Sequence, residues 1–371
     1  MRVLQLTVHL YPNIGGIETH LNDLINSLIK KDFQITVLAY QPLTAKTKWK
    51  IYEKSHNLKI FRIPWIPNLF YQLVPYPILE FLYLSPGLFL ITPLILLTQN
   101  PDVIHAHGLV AGSVALFWGK VFRKRVVISL HNIYHFPKKG LYTSFVKLVL
   151  NNADFNLTLS KQSVREIVSL GIDHKKVDNF TYWIDLEKFQ RVKDAKEKLG
   201  WAGRFVVLFV GRLVEEKGVL QLLKSVKIWN RKFTLVIIGI GPLEKVIAKK
   251  AKEVKNIEYV GKVDQNRLPL YYSGSDILII PSVSEEGFGR VIIESLACGT
   301  PVVGARRGAI PEALDETVGR LIDITPKNLK SEVEYLYKNR VELKKLANDA
   351  RKYAEKRFSE KNAEKIISKY F

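Results

Sequence analysis

The chain has 371 residues, a length that accommodates two domains of ordinary size, each with its own hydrophobic core. Hydrophobic residues make up 47% of the chain and charged residues 25%, a balance that excludes a disordered protein and favours a globular one. The single cysteine, Cys298, excludes a disulfide framework. Together with a first strand that begins at Arg2 in place of a signal peptide, it favours a cytoplasmic location.

The formal net charge of +21 indicates an anionic partner. Three classes of partner fit this charge: nucleic acid, an anionic membrane surface and anionic small-molecule substrates. The sequence contains no zinc-finger spacing, no aromatic RNA-binding motif and no extended Arg-rich arm. We therefore expect no nucleic acid, and we keep the other two classes.

The N-terminal residues predict a strand followed by a helix. Apolar residues make up most of Arg2 to Val8, and those between Ile17 and Leu28 recur at helical spacing. Gly15 and Gly16 stand at the start of this helix, where the backbone can come close to a ligand. The pattern is not G-x-G-x-x-G, so the dinucleotide-binding fingerprint is absent. Glycines that only shape a turn remain the alternative.

After two further predicted strands, 34–40 and 58–63, the composition changes. Residues 78–98 are nearly uncharged apart from Glu80 and are long enough to span a membrane. Pro86 and Pro93 interrupt this run, so we expect a buried helix over Leu88 to Leu97 rather than a transmembrane span.

The segment before this run is rich in proline and aromatic residues. Trp65, Phe70 and Tyr71 are difficult to bury, and basic residues precede them at Lys46, Lys48, Lys50 and Arg62. Aromatic and basic side chains together are typical of a segment that rests on a membrane surface. We therefore keep docking at an anionic membrane as a hypothesis beside the burial of these residues.

Three histidines lie within or directly after the next predicted strands. His105 and His107 share one strand face, but no third ligand is evident, so we expect no metal site. His131 comes directly after the strand 125–130. Open α/β sheets place their ligand contacts at this position, although a structural role is the alternative.

The second half of the chain begins with the strand 205–210, after a domain join near Trp183. Arg212 and Lys217 follow this strand five positions apart and can close on one diphosphate, Arg as a fork of donors and Lys as a point charge. Simple exposure to solvent is the alternative for both cations.

A strand, a glycine-rich loop, a helix and another strand occupy residues 277–303. Gly287 and Gly289 flank Phe288 in the loop, Glu286 lies at its mouth, and Glu294 lies about two turns into the helix. Loop amides and the positive end of a helix suit a phosphate. The two carboxylates suit pairs of sugar hydroxyls, and solvated surface glutamates are the alternative.

The block 286–303 resembles the E-x7-E motif of retaining glycosyltransferases with the GT-B fold, in particular glycosyltransferase family 4, the group-1 transferases. Other motifs follow in the family's order: Gly-Gly-x-Glu-x-His at 15–20, a histidine at a strand end, and Gly-Arg with Lys-Gly at 211–218. The resemblance covers essentially the whole chain. At 182–185 this chain reads Tyr-Trp-Ile-Asp where many relatives have Asn-Gly-Val-Asp, so no role of that Asn is carried over.

The resemblance implies an α/β fold of two doubly wound Rossmann-like domains that face each other across a cleft. Residues 1–183 would form the acceptor-binding domain and residues 184–352 the nucleotide-sugar-binding domain. Residues 353–371 would form a helix that packs back on the first domain.

The resemblance also implies retaining transfer of a hexosyl unit from a UDP- or GDP-linked sugar, with no metal and no separate cofactor. His131, Glu286, Arg212 and Lys217 would be catalytic, and Glu294 would bind the ribose. Further donor contacts fall on Gly16, Val263, Gly287, Phe288 and Gly289.

The apolar, basic first domain favours a lipid-linked or phospholipid acceptor, with a soluble acceptor as the alternative. The enzyme would be peripheral on the inner face of the cell membrane and act in glycolipid or polysaccharide biosynthesis. Two alternatives remain open. A GT-B epimerase or phosphorylase would use the same donor site, and an epimerase would need no acceptor. A non-catalytic, membrane-docked module would bind the nucleotide sugar without releasing nucleoside diphosphate.

Overall fold

The structure is a computed structural model that describes residues 1–371 except 14, 44–46, 74–75, 132–136, 138, 228 and 230–231, and except the side chains of Asn68 and Tyr71. Lys46 and the Tyr71 side chain, both part of the predicted membrane-docking group, lie outside the described residues. The chain forms two compact units. Unit 1 comprises Met1–Tyr182 with Glu360–Phe371, and unit 2 comprises Trp183–Ser359.

Unit 1 is built on an eight-stranded sheet. Its strands in chain order are β1 (Arg2–Thr7), β2 (Gln34–Tyr40), β3 (Tyr52–Ser55), β4 (Leu58–Ile63), β5 (Val103–His107), β6 (Arg125–Leu130), β7 (Phe155–Thr158) and β8 (Val177–Asn179). Their spatial order is β3-β4-β2-β1-β5-β6-β7-β8, and all neighbours are parallel except β3 and β4. Because the chain moves outward from β1 in both directions, the topological switch point lies between β1 and β5.

Helices follow the strands of unit 1 because parallel strands need crossover connections. They are α1 (Gly16–Lys30), α2 (Phe70–Leu73), α3 (Pro77–Gln99), α4 (Leu109–Val121), α5 (Leu141–Asn152) and α6 (Lys161–Ser169), with 3-10 turns at Pro67–Leu69 and His174–Lys176. One hydrophobic core lies between the sheet and the helices α3 to α6. The central strands are buried on both faces, and their buried residues include the polar Gln5 and Thr7 of β1 and the two histidines of β5.

Helix α3 is continuous, so the predicted interruption at its prolines is wrong. Pro86 and Pro93 both lie inside the helix. The Tyr40 hydroxyl donates to the carbonyl of Leu84 at 2.5 Å and accepts from the N–H of Leu88 at 3.2 Å. These two groups would otherwise bond to each other along the helix, so Tyr40 satisfies the backbone beside Pro86. A Cβ on Gly87 would lie 2.6 Å from this hydroxyl, which explains the glycine.

Two of the aromatic residues that the sequence suggests are difficult to bury are covered by other parts of unit 1. Phe70 is buried and lies edge-on to the His9 ring, with 4.7 Å between ring centroids. Trp65 is half-buried, and its indole N–H donates to the carbonyl of Tyr83 at 3.0 Å. Burial, one of the two interpretations kept for these residues, therefore holds for Phe70 and in part for Trp65, because α3 supplies apolar surface that covers them.

Unit 2 is built on a six-stranded parallel sheet. Its strands are β9 (Phe205–Val210), β10 (Phe233–Ile238), β11 (Ile257–Gly261), β12 (Ile277–Ile280), β13 (Val302–Ala305) and β14 (Gly319–Ile322). Their spatial order is β11-β10-β9-β12-β13-β14. The chain reverses direction across the sheet between β9 and β12, and this is the switch point of unit 2.

The helices of unit 2 precede the first of these strands, connect them and follow the last one. They are α7 (Ala195–Lys198), α8 (Val219–Val226), α9 (Glu244–Glu253), α10 (Leu268–Gly274), α11 (Arg290–Ala297), α12 (Ile310–Ala313), α13 (Pro326–Lys338) and α14 (Arg340–Arg357), with a 3-10 turn at Glu215–Lys217. A hydrophobic core joins the strands β9 and β10 to the helices α8, α13 and α14.

The chain returns to unit 1 at its C-terminus through α15 (Asn362–Ile367) and a 3-10 turn, Ser368–Tyr370. This return begins at Glu360, whereas the sequence interpretation places it at residue 353. The difference arises because α14 belongs to unit 2, where Arg351 Nη1 donates to the carbonyls of Phe189 at 2.6 Å and Ala297 at 2.9 Å. In unit 1, Glu360 accepts from Ser27 Oγ at 2.8 Å.

Candidate active site

Two loops follow the central strands of the unit 2 sheet. Residues 211–218 follow β9 and residues 281–289 follow β12. The two strands are paired in parallel, so their carboxyl ends lie at the same edge of the sheet. Open α/β sheets bind their ligands outside this edge, at the switch point. The fold therefore brings together the two motifs that the sequence separates.

Close backbone packing holds the two loops together. Gly218 has a φ of 70°, and a Cβ there would lie 1.7 Å from the carbonyl oxygen of Pro281. The N–H of Val283 donates to the carbonyl of Glu216 at 2.9 Å. Only glycine permits both the left-handed conformation and this close approach. Gly218 therefore sets the distance between the cation of one loop and the carboxylate of the other.

Lys217 and Glu286 form an ion pair across the two loops. The ammonium of Lys217 contacts Oε1 of Glu286, while Oε2 accepts from Ser282 Oγ at 2.5 Å. The backbone of Glu286 is also fixed, because its carbonyl accepts from the N–H of Ala309 at 2.9 Å. The Glu286 side chain is 12% exposed and that of Lys217 is 26% exposed. The pair is therefore ordered yet open to a ligand.

Arg212 lies on the same loop as Lys217 and is exposed. The carboxyl edge of this sheet thus carries two cations from one loop and a carboxylate from the neighbouring loop. Cations bind phosphate oxygens, and a carboxylate accepts hydrogen bonds from hydroxyl groups. The arrangement suits a ligand that combines a diphosphate with a polyol.

The glycine-rich turn leads directly into α11. Gly289 has a φ of 73° and precedes the first helical residue, Arg290. The Phe288 side chain is buried edge-on against Phe358, with 5.8 Å between ring centroids. Any contact of Phe288 with a ligand would therefore involve its backbone. Gly287 lies between Glu286 and Phe288 in the sequence and is half-buried.

Glu294 is part of a buried polar group on α11. Its carboxylate accepts from the Tyr272 hydroxyl at 2.8 Å and lies 3.3 Å from Nε of Arg290. Burial, followed by the nearby Glu294 carboxylate, raises the pKa of Tyr272 well above its usual value, so the hydroxyl remains a donor. The group fixes the Glu294 carboxylate within the second turn of the helix.

The loops after β10 and β11 complete this edge of the sheet. A Cβ on Gly239 would lie 1.8 Å from the carbonyl oxygen of Gly211, so this glycine lets the loop after β10 pack on the loop after β9. The N–H of Gly239 donates to the carbonyl of Gly261 at 2.9 Å. Val263 follows β11 and is half-buried.

In unit 1, Gly16 is the first residue of α1, and a Cβ there would meet no atom within 4 Å. The preceding Gly15 has no such room, because a Cβ there would lie 2.3 Å from Oε2 of Glu18. Glu18 and His20 of the same motif are buried. The Gly-Gly-x-Glu-x-His pattern thus folds its acidic side chain back on its first glycine.

His131 lies within a chain of buried hydrogen bonds in unit 1. Its Nε2 is 2.9 Å from Nδ1 of His107, and its Nδ1 is 3.2 Å from the Tyr182 hydroxyl. His107 Nε2 is 2.7 Å from Oε1 of Gln5. Because the Gln5 oxygen accepts, His107 carries its proton on Nε2, and His131 then donates from its own Nε2. Nδ1 of His131 is left to accept from Tyr182.

Burial keeps these imidazoles neutral. It lowers the pKa of His131 to about 3 and that of His105 to about 3, with a smaller contribution from His131 in the second case. The two nitrogens of His105 lie 2.7 Å from the hydroxyls of Tyr370 and Ser129. The ring nitrogens of His105 and His107, the two histidines that share a strand face, are therefore already engaged in hydrogen bonds. Among the residues that the structure describes, no three His, Cys, Asp or Glu side chains are grouped to hold a metal ion.

Comparison with known proteins identifies the family. The model of the family described as Glycosyltransferase Family 4 matches residues 14–188, and that described as Glycosyl transferases group 1 matches residues 192–357. A 41.2 kDa protein in the cps region of Klebsiella pneumoniae is 30% identical over 262 residues, which cover 67% of this chain and 72% of that protein. The chain belongs to glycosyltransferase family 4.

Other similarities of this glycosyltransferase extend over its full length. The glycosyltransferase MJ1069 of Methanocaldococcus jannaschii is 25% identical over 100% of this chain and 99% of that protein. The structure of sucrose-phosphate synthase from Thermosynechococcus elongatus has a TM-score of 0.84 at 19% identity and covers 100% of this chain and 98% of that one. Anabaena Alr3699/HepE in complex with UDP has a TM-score of 0.79 at 20% identity, covering 99% of this chain and 98% of that one. The predicted GT-B fold of two Rossmann-like domains is confirmed.

The sequence of this glycosyltransferase predicts most of the residues that meet at the unit 2 edge, but it leaves out some of their partners. Ser282, Tyr272 and Arg290 contact the two glutamates of the motif and are not predicted. The spacing of Arg290 and Glu294 by four helical positions is a signal that could have revealed that pair. Ser282 and Tyr272 carry no comparable signal, because loop and tertiary packing place them.

Proposed function

We propose that this glycosyltransferase moves a hexosyl unit from a UDP- or GDP-linked sugar to a lipid-linked or phospholipid acceptor, with retention of configuration and without a metal ion. Arg212 and Lys217 would bind the diphosphate and stabilise the charge that develops as it leaves. Glu286 would accept from hydroxyls of the transferred sugar and Glu294 from those of the ribose. We assign His131 to the transferred sugar.

The observation that carries this proposal is the contact of Lys217 with Glu286 at the switch point of unit 2. A diphosphate that binds Lys217 competes with Glu286 for the ammonium. The carboxylate, still held by Ser282, then becomes available to a sugar hydroxyl. Binding of phosphate to Lys217 would thus be coupled to binding of the sugar to Glu286, because the two side chains form one ion pair. The UDP complex of Anabaena HepE, which shares the fold, supports a nucleotide donor.

We assign the proposed retention to the same groups. With both cations on the diphosphate, the leaving group gains charge stabilisation on the face where it departs. The leaving diphosphate is then the base nearest to the acceptor on that face and takes the acceptor's proton, which keeps the configuration of the sugar. The neutral His131 has both ring nitrogens engaged, Nε2 by His107 and Nδ1 by Tyr182, so it would position the sugar by packing against it rather than exchange a proton with it.

A thermal-shift screen followed by turnover tests the proposal. We expect UDP or GDP, and a sugar linked to it, to raise the melting temperature. With a matching acceptor lipid, free nucleoside diphosphate should appear together with a product whose anomeric configuration, read by NMR, equals that of the donor. Binding without release of nucleoside diphosphate would contradict catalysis. Formation of an epimerised sugar from the donor alone would show that the reaction is epimerisation and not transfer.

A further inference from the structure

Helix α3 carries apolar residues on two sides. The side facing the core contains the buried Leu84, Leu88 and Leu96. On the opposite side, apolar residues that are 44% to 67% exposed recur at spacings of three, four or eight positions: Leu79, Leu82, Leu90, Leu94 and Leu97. This spacing places them on one side of the helix, over a length of about 27 Å.

An exposed apolar stripe of this length is unusual for a helix on the surface of a globular protein, whose outer side is polar. In the described part of the chain α3 is the one helix long and apolar enough to cross a membrane, with a mean hydropathy of 1.9. Its inner side, however, packs on the sheet through Gly87 and Tyr40. Lipid can therefore contact α3 from its outer side while unit 1 stays folded.

The stripe continues onto two neighbouring helices. An open groove of about 500 Å³ is lined by Pro86 and Leu90 of α3, Phe117 of α4 and Phe145 of α5. Phe117 is 50% exposed and its ring lies 5.0 Å from that of Phe89, which joins α4 to α3. We call the exposed leucines of α3, this groove and the exposed Val121 of α4 the apolar face.

Cations border one end of the apolar face. Lys124 Nζ donates to Asn100 Oδ1 at 2.7 Å and Lys59 Nζ donates to Gln99 Oε1 at 2.7 Å, both where α3 ends. Lys120 precedes the exposed Val121 on α4. These partners are neutral amides, so they leave the positive charges uncompensated. The sequences of α3, α4 and α5 contain a single acidic residue, Glu80.

We propose that the apolar face docks this protein on the surface of an anionic phospholipid bilayer. The leucines of α3 enter the boundary between headgroups and acyl chains, and Lys59, Lys120 and Lys124 contact the lipid phosphates. A second copy of the chain would also cover the leucines but would bring further cations towards these lysines. The proposal rests on the proposed function in one respect: docking would bring the enzyme to the lipid acceptor proposed above.

Vesicle co-sedimentation tests the proposal. The protein should sediment with vesicles of phosphatidylcholine and phosphatidylglycerol and less with phosphatidylcholine alone. The triple variant Leu82→Ser/Leu90→Ser/Leu94→Ser should lower the partition onto anionic vesicles by about tenfold or more, because three apolar side chains no longer enter the lipid. The matched control Val246→Ser/Val341→Ser changes two valines that are 51% and 88% exposed in unit 2 and should bind as the unaltered protein does.

A second variant, Lys120→Gln/Lys124→Gln, keeps the leucines and should weaken binding to anionic vesicles only. Failure of the unaltered protein to sediment with anionic vesicles would overturn the proposal, as would unchanged binding of both variants. A dimer in light scattering that the leucine variant converts to monomers, without vesicle binding, would assign the face to a second copy. Nucleotide binding is measured on the same samples: vesicle binding without it contradicts the proposed function alone, and nucleotide binding without vesicle binding contradicts docking alone.

Discussion

At the scale of single residues, the ion pair of Lys217 and Glu286 is the centre of the candidate site. The two residues are 69 positions apart, and the parallel pairing of β9 with β12 brings them into contact. The ammonium lies between a carboxylate of the protein and the edge where a diphosphate would bind. Removal of the Lys217 ammonium would leave the Glu286 carboxylate, 12% exposed, without its cation.

Replacement of either cation should therefore slow transfer. We expect Lys217→Ala and Arg212→Ala each to lower turnover by about 10²-fold or more, because each removes a contact to the charge that develops on the leaving group. The measurement is the initial rate of nucleoside diphosphate release at saturating donor. Lys224→Ala, an exposed lysine on α8, is the matched control and should retain normal turnover. Near-normal turnover in Arg212→Ala would remove that residue from the site.

The buried histidines of unit 1 predict a dependence of stability on pH. Burial lowers the pKa of His105 and of His131 to about 3 in the folded chain. In the unfolded chain both titrate near 6.5, so the unfolded state takes up more protons below that pH. The free energy of unfolding should therefore fall between pH 7 and pH 5, by about 2 kcal/mol for each histidine.

Urea unfolding at pH 7 and pH 5, read by hydrogen exchange in peptides from β5 and β6, checks this prediction. Burial raises the pKa of Glu80 and Glu332, and these residues act in the opposite direction. A variant isolates the histidine contribution: His131→Gln cannot titrate, so its loss of stability over this interval should be smaller. Equal losses in the two proteins would show that His131 is not a buried neutral group.

At the scale of elements, the contact between the two site loops depends on Gly218. We expect Gly218→Ala to abolish measurable nucleotide binding, because the new Cβ would lie 1.7 Å from the Pro281 carbonyl oxygen and force the loops apart. Gly203→Ala is the matched control, since its φ of 73° is nearly the same and its Cβ would meet no atom within 4 Å. It should lose about 1 kcal/mol of stability through backbone strain and bind nucleotide normally.

Calorimetric titration with UDP and GDP measures both glycine variants. Equal nucleotide affinities in Gly218→Ala and Gly203→Ala would show that the spacing of the loops does not determine donor binding.

The sequence predicts the site of unit 2 better than the surface of unit 1, for a physical reason. Strand-loop-helix patterns predict which loops reach the carboxyl edge, and the resemblance to the family assigns Lys217 and Glu286 to the site before their contact is known. The environment of α3 is not encoded locally: its prolines predict an interruption, yet the Tyr40 hydroxyl from β2 satisfies the helix backbone. Phe70 likewise reads as exposed until α3 covers it. Long-range packing decides both.

At the scale of the whole molecule, the proposed reaction would need no metal ion. Arg212 and Lys217 would supply the charge that a divalent cation would otherwise bring to the diphosphate. We expect the rate of transfer in excess EDTA to equal the rate in Mg²⁺. A loss of activity in EDTA that Mg²⁺ restores would show that these cations are insufficient.

A crystal structure with bound UDP or GDP tests the central claim most directly, since it locates the diphosphate without reference to any acceptor. We expect the diphosphate within hydrogen-bonding distance of Arg212 and Lys217, beyond the carboxyl ends of β9 and β12, with the ribose near Glu294. A nucleotide whose phosphates contact neither cation would contradict the assignment of this edge as the donor site.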